Sequence, residues 1–98
     1  MNIQNLMQEA KKMQRELEKT QKELENTVYE GNSSFVKVVV NGNKDVKSIK
    51  INMDSIEKDD IEILEDMIVV AFNDAFKKVD NDKNSKLGKF GSGLNGLM

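Results

Sequence analysis

The chain contains no cysteine, histidine, proline or tryptophan, and these absences narrow what it does. Without cysteine there are no disulfides and no thiolate ligands. Without histidine the commonest neutral-pH base and metal ligand is gone. Zinc sites and catalysis by a nucleophile with a histidine base are therefore excluded. Aromatic residues are few, four Phe and one Tyr among 98 residues, so a single domain of this size has a modest core and a marginally stable monomer. The opening residues have no basic segment followed by an apolar one, and no apolar run reaches membrane-spanning length. The expectation is a soluble, cytoplasmic protein with no membrane partner. In that setting the Asn32-Ser33-Ser34 glycosylation sequon is coincidental.

Charge is plentiful but unevenly placed. The net charge is only −2. Between residues 54 and 74, however, Asp54, Glu57, Asp59, Asp60, Glu62, Glu65, Asp66 and Asp74 face Lys58 alone, whereas five lysines beyond residue 74 outnumber Asp80 and Asp82. An acidic total thus leaves room for local cationic surfaces.

Ile3, Ala10, Leu17 and Leu24 recur every seven residues, with Leu6, Met13 and Thr20 three residues behind them. This a/d pattern, unbroken by Gly or Pro, predicts a long amphipathic helix over residues 3–26. Residues 27–30 read as a short strand and Gly31 to Ser34 as a turn. Phe35 to Val40 is β-branched, Asn41-Gly42 is a hairpin dipeptide, and Val46 to Ile51 is the return strand, with Ile49 and Ile51 on one face. Asp54 and Asp59 each precede a Glu by three residues, as in a capping box, which predicts a short helical turn and then a long helix from Asp59 to Asp80. Lys77 and Lys78 would lie near its end, where positive charge is favourable. The chain therefore divides into an α+β domain, αβββα, over residues 1–80 and a glycine-rich tail over 81–98, expected to be flexible in isolation.

The second helix carries an apolar band too wide for one protomer to cover. Leu64, Met67, Ile68, Ala71, Phe72, Ala75, Phe76 and Val79 recur at helical spacing, and Val69 and Val70 widen the stripe. A small sheet shields one side only. The other side predicts a homodimer with Ile68, Phe72 and Phe76 at its interface.

Several motifs fail on context. Gly91 to Gly96 spells GxGxxG, but no strand precedes it and no helix follows to hold a pyrophosphate. Asp80, Asp82 and Asn84 open like a calcium loop, yet Ser85 and Gly91 stand where a turn glycine and a bidentate Glu belong. The acidic cluster at residues 54–66 reads as helix capping rather than acid–base chemistry. No cofactor, metal, small-molecule substrate or enzymatic role is expected. One constellation remains. At 100° per residue, Lys11, Arg15, Lys19 and Lys22 fall within a sector of roughly 80°, opposite the apolar stripe, with Lys12 beside them. Such a row suits a phosphate backbone. Pattern alone favours a solvated face, in which Lys12 with Glu16, Glu18 with Lys22 and Lys19 with Glu23 form supporting pairs.

The order of elements resembles the YbaB/EbfC family of bacterial nucleoid-associated proteins. The likeness covers residues 2–98 and rests on Asn5-Leu6-Met7 with Ala10, Met13 and Gln14, on Val36-Lys37-Val38 and Asn41-Gly42, on Leu64-Glu65-Asp66 running into Ala71-Phe72-Asn73-Asp74-Ala75, and on the glycine-rich tail. It implies a tweezer-like homodimer of αβββα protomers in the cytoplasm and nucleoid, which binds double-stranded DNA, alters its conformation and affects nucleoid organisation and gene expression. Charge placement then makes Lys11, Lys12, Arg15, Lys19, Lys22, Lys77 and Lys78 the candidate DNA contacts. Asn73 and Asp74 read as a polar helix edge or an interprotomer hydrogen bond. The competing expectation is an adaptor whose exposed heptad helices recruit another helix without binding DNA.

Overall fold

The computed structural model describes residues 2–90, in the order α1 (Ile3–Asn26), β1 (Val28–Ser33), β2 (Val36–Asn41), β3 (Val46–Ile51) and α2 (Ile61–Leu87). Asn2 caps α1, its side-chain carbonyl accepting the Gln4 N–H at 3.0 Å. At the other end the Thr27 hydroxyl donates to the Glu23 carbonyl at 2.6 Å as the chain turns into β1.

The three strands form one antiparallel sheet in the order β1-β2-β3, as the alternation and the Asn41-Gly42 signal predict. Two turns differ from the reading of the sequence. β1 runs through Gly31 to Ser33, and the turn sits later, where Ser34 takes the left-handed conformation (φ 41°). Gly42 is not left-handed; that role falls to Lys44 (φ 64°), which ends a three-residue loop. Asn41 organises this loop, its side-chain oxygen accepting the N–H groups of Asn43 and Asp45, each at 2.9 Å. Gly42 is required for a different reason: a Cβ there would lie 1.9 Å from the Leu24 carbonyl oxygen of α1.

Val36, Val38 and Val40 point from one face of β2 into the core against Ala71, Ala75 and Val79 of α2. The small residues let the helix settle closely onto β1, where a Cβ at Gly31 would lie 1.9 Å from the Ala71 carbonyl oxygen. Ile49 and Ile51 pair with Val38 and Val36, so they share that face as expected, yet they stay 47% and 37% exposed. α2 covers β1 and β2 and leaves β3 bare. A bulge at Val39/Val40 brings Val46 opposite Val40, also exposed.

Entry to α2 is capped differently from the expected Asp54 and Asp59 boxes. Residues 58–60 form one 3-10 turn, and Asp60 reaches back to accept the Glu57 N–H at 3.0 Å. The helix also continues past Asp80 to Leu87, so Lys77 and Lys78 lie in its interior rather than near its end. Phe90 is buried, 7% exposed. The boundary expected at residue 80 is therefore not where the helix stops. The GxGxxG stretch and the rest of the tail, residues 91–98, lie outside the described residues.

Candidate nucleic-acid interface

α1 stands away from the body. The radius of gyration is 19.7 Å, against about 13 Å for a compact chain of this length, and the longest dimension is 71 Å. Within α1 only Leu24 is buried; Ile3, Leu6, Met7 and Met13 remain exposed. The helix is therefore an arm, held at its C-terminal end by Leu24 and the Gly42 contact.

The arm carries Lys11, Lys12, Arg15, Lys19 and Lys22, all exposed. The pairs expected between these bases and Glu16, Glu18 and Glu23 do not form. Among the described residues the four ion pairs are Lys37–Glu30, Lys44–Asp80, Lys78–Asp74 and Lys86–Asp82, all on the body. Exposed pairs on a helix gain little over solvation and restrict two long side chains, so their absence has little energetic cost. A shallow, open groove of about 650 Å³ runs beside Arg15, Lys19 and Lys22, with Glu18, Glu23, Asn26 and Thr27 completing its lining. Chemically the arm offers a row of mobile cations to an extended anion.

The body lysines are placed otherwise. Lys78 donates to the Glu30 carbonyl at 2.8 Å and pairs with Asp74 at 3.3 Å, while Asp74 accepts the Asn32 N–H at 3.0 Å. The Asn32 bond, followed by Lys78 and Lys77, holds the Asp74 carboxyl below its usual range. Asp74 thus ties α2 to β1 within one chain, and with Lys78 it closes the outer edge of β1. Lys77 is exposed beside it. The structure brings Lys11, Arg15, Lys19 and Lys22 onto one face and sets Lys78 apart from them in a structural role. Lys37 and Lys50, which were outside the charge-placement reading, oppose each other across β2 and β3 on the sheet face away from α2, and Lys37 pairs with Glu30.

A second tie joins β1 to the far part of α2. The Tyr29 hydroxyl donates to Asp82 at 2.5 Å, and Lys86 pairs with the same carboxylate at 3.1 Å. Burial, then the hydrogen bond and charge of Asp82, push the Tyr29 hydroxyl up to about 12. In return the Tyr29 bond, with Lys86, holds Asp82 low.

Ile68, Phe72 and Phe76 lie half-buried against the core, the two rings 5.8 Å apart. Lys44 sits 5.7 Å from the Phe76 ring centre. Val69 beside them is 57% exposed. Ile49 and Ile51, on the sheet face that carries the core valines of β2, are exposed as well. No hydrogen bond among the described residues reaches the outer edge of β3.

A family model described as the YbaB/EbfC DNA-binding family matches residues 1–94. A nucleoid-associated protein of Acetivibrio thermocellus is 39% identical over 98 residues, covering 98% of this chain and 87% of that one. One of Lactococcus lactis subsp. cremoris is 40% identical over 96 residues, covering 96% and 97%. The crystal structure of an uncharacterised protein from Helicobacter pylori has the same fold, with a TM-score of 0.73 at 22% identity, over 92% of this chain and 97% of that one.

Proposed function

This chain belongs to the YbaB/EbfC DNA-binding family and is a nucleoid-associated, DNA-binding protein; from that premise we propose that it grips duplex DNA as a homodimer through its arm cations. Two protomers join across the bare side of the sheet. The exposure of Ile49, Ile51 and Val69 and the half-burial of Phe72 and Phe76 support this reading, because one protomer leaves these apolar side chains incompletely covered while the opposite edge of the sheet is closed by Asp74 and Lys78. Two arms then project from one body like tweezers and straddle the duplex.

The observation that carries the proposal is the set of five exposed arm cations with no ion pair among the described residues. Cations already free of carboxylates meet phosphate without first breaking a pair. Lysine and arginine at these spacings follow a charged backbone rather than reading base edges, so binding is tolerant of sequence. Arms that close on the duplex from two sides also alter its conformation, as a protein that organises the nucleoid must.

DNA affinity measured at several salt concentrations tests this. Wild type should bind far more weakly as salt rises. The Arg15→Gln, Lys19→Gln variant should bind more weakly on all sequences, with a log–log slope shallower by about one unit for each phosphate it no longer neutralises. Circular dichroism should show the fold intact, since exposed substitutions shift stability by under about 0.5 kcal/mol. A folded variant with unchanged affinity and slope would reject the arm as the DNA site.

A further inference from the structure

An arm that turns its cations toward DNA turns its apolar seam away, and that seam is uncovered. Ile3, Leu6, Met7 and Met13 are 72%, 47%, 53% and 57% exposed, and Ala10 between them is exposed too. The free stripe from Ile3 to Leu17 is about 21 Å long. We infer that it docks a second copy of itself: the α1 arm of a neighbouring dimer, lying parallel in a two-stranded coiled coil.

The flanking charges select this occupant. With Ile3, Ala10 and Leu17 at a and Leu6 and Met13 at d, position g is Glu9, Glu16 and Glu23, and position e is Met7, Gln14 and Gln21. Every arm cation falls at b, c or f, outside the seam. A parallel partner sets g against e of the next heptad, so Glu9 meets Gln14 and Glu16 meets Gln21, carboxylates accepting from amides. An antiparallel copy sets g against g and stacks glutamates on glutamates. The seam therefore closes in one orientation without like-charge contacts and without covering a DNA-facing cation. Alanine at one a site keeps the pairing weak, suited to arms concentrated along one DNA molecule. A particle with one two-fold axis through its body and another through each arm pair links dimers in series.

The inference rests on the dimer proposed above. The chain has no cysteine, so single cysteines report the seam cleanly. Ile3→Cys, Leu6→Cys, Met13→Cys and, as a control on the cationic face, Lys12→Cys are oxidised mildly without DNA, and the products are sized by sedimentation and by non-reducing gel. The three seam variants should all cross-link about tenfold faster than the control, since a paired seam raises the effective thiol concentration. The cross-linked particles should hold four chains or more. Ala10→Asp added to Leu6→Cys should abolish the difference. A wild-type particle of one chain would overturn the dimer and this inference together. A two-chain wild type whose seam variants cross-link no faster than Lys12→Cys, or stay at two chains after cross-linking, would overturn the inference alone. Cross-linking at one seam position only would reject the parallel register in favour of an antiparallel one.

Discussion

Replacing Gly31 by alanine adds one methyl group and should be among the costliest small changes available in this chain. The new carbon would lie 1.9 Å from the Ala71 carbonyl oxygen and 2.7 Å from both the amide nitrogen and Cβ of Ala75. A normal carbon–oxygen approach is about 3.3 Å, so β1 and α2 must part by more than about 1 Å. No rotamer relieves the clash, because the atoms struck are backbone or Cβ. A gap of about 0.5–1 Å forfeits a quarter to a half of the dispersion attraction along the seam, where Val38 and Val79 are fully buried. Overpacking of this kind costs about 1–3 kcal/mol, and the rigid obstacle puts Gly31→Ala near the upper figure. For a domain of this size about 3 kcal/mol lowers Tm by about 12–24 °C. The assay is thermal unfolding by circular dichroism at one fixed protein concentration, because the proposed assembly would make the transition concentration-dependent. Gly88→Ala is the control: nothing lies within 4 Å of its new carbon, its φ is −59°, and alanine there should be neutral or stabilising by about 0.4–1 kcal/mol. Adding Ala75→Gly to Gly31→Ala removes the Cβ clash but not the Ala71 oxygen, so rescue should be small. Gly31→Ala melting within about 2 °C of wild type would refute close packing of β1 on α2.

Phe72→Asp should set a carboxylate against the half-buried Phe76 and the core, costing at least about 2 kcal/mol, and light scattering should report dissociation of the dimer. A Phe72→Asp protein that remains a two-chain particle would move the interface elsewhere. Tyr29→Phe should remove the bond to Asp82, about 1–2 kcal/mol in a urea titration at neutral pH. The alkaline dependence is a separate check. Tyr29 keeps its proton to about 12 in the folded chain and loses it near 10 when unfolded, so its contribution is complete below pH 10 and falls away between the two values. Asp82 is held low, so its contribution is present at neutral pH and is lost as acid protonates it. Urea midpoints should fall more steeply between pH 10 and about 12 for wild type than for Tyr29→Phe; parallel curves would remove Tyr29 from the linkage.

Patterns with a fixed period were readable before any coordinates. The heptads of α1 end where expected, the β-branched run gives β2, and the Val46 to Ile51 return strand is in place. Part of what failed is local, as in the Glu57–Asp60 cap and the loop organised by Asn41, and part depends on contacts between segments distant in sequence. α2 continues to Leu87, with Asp82 bonded to Tyr29 of β1 and paired with Lys86, while the sequence just past Asp80 is mostly polar. Gly31 looked like a turn residue but serves a helix–strand seam, and Gly42 likewise admits the end of α1. For the site, the angular grouping of Lys11, Arg15, Lys19 and Lys22 was legible from helical geometry. Whether Glu16, Glu18 and Glu23 would neutralise them was not, since an i,i+4 spacing permits a pair without requiring one.

The seating of α1 makes it a lever. Its only buried residue, Leu24, lies at one end beside Gly42, and Ile3 at the tip is about 32 Å away along the helix. Turning the seat by about 10° swings the tip by about 5–6 Å, more than one base-pair step of about 3.4 Å. In the proposed dimer, a change in packing too small to disturb the sheet would thus be magnified into a change in the gap between the two arms. On the proposed mode of binding, the angle at the Leu24–Gly42 joint, more than any single cation, would set whether straight or bent DNA is the better match.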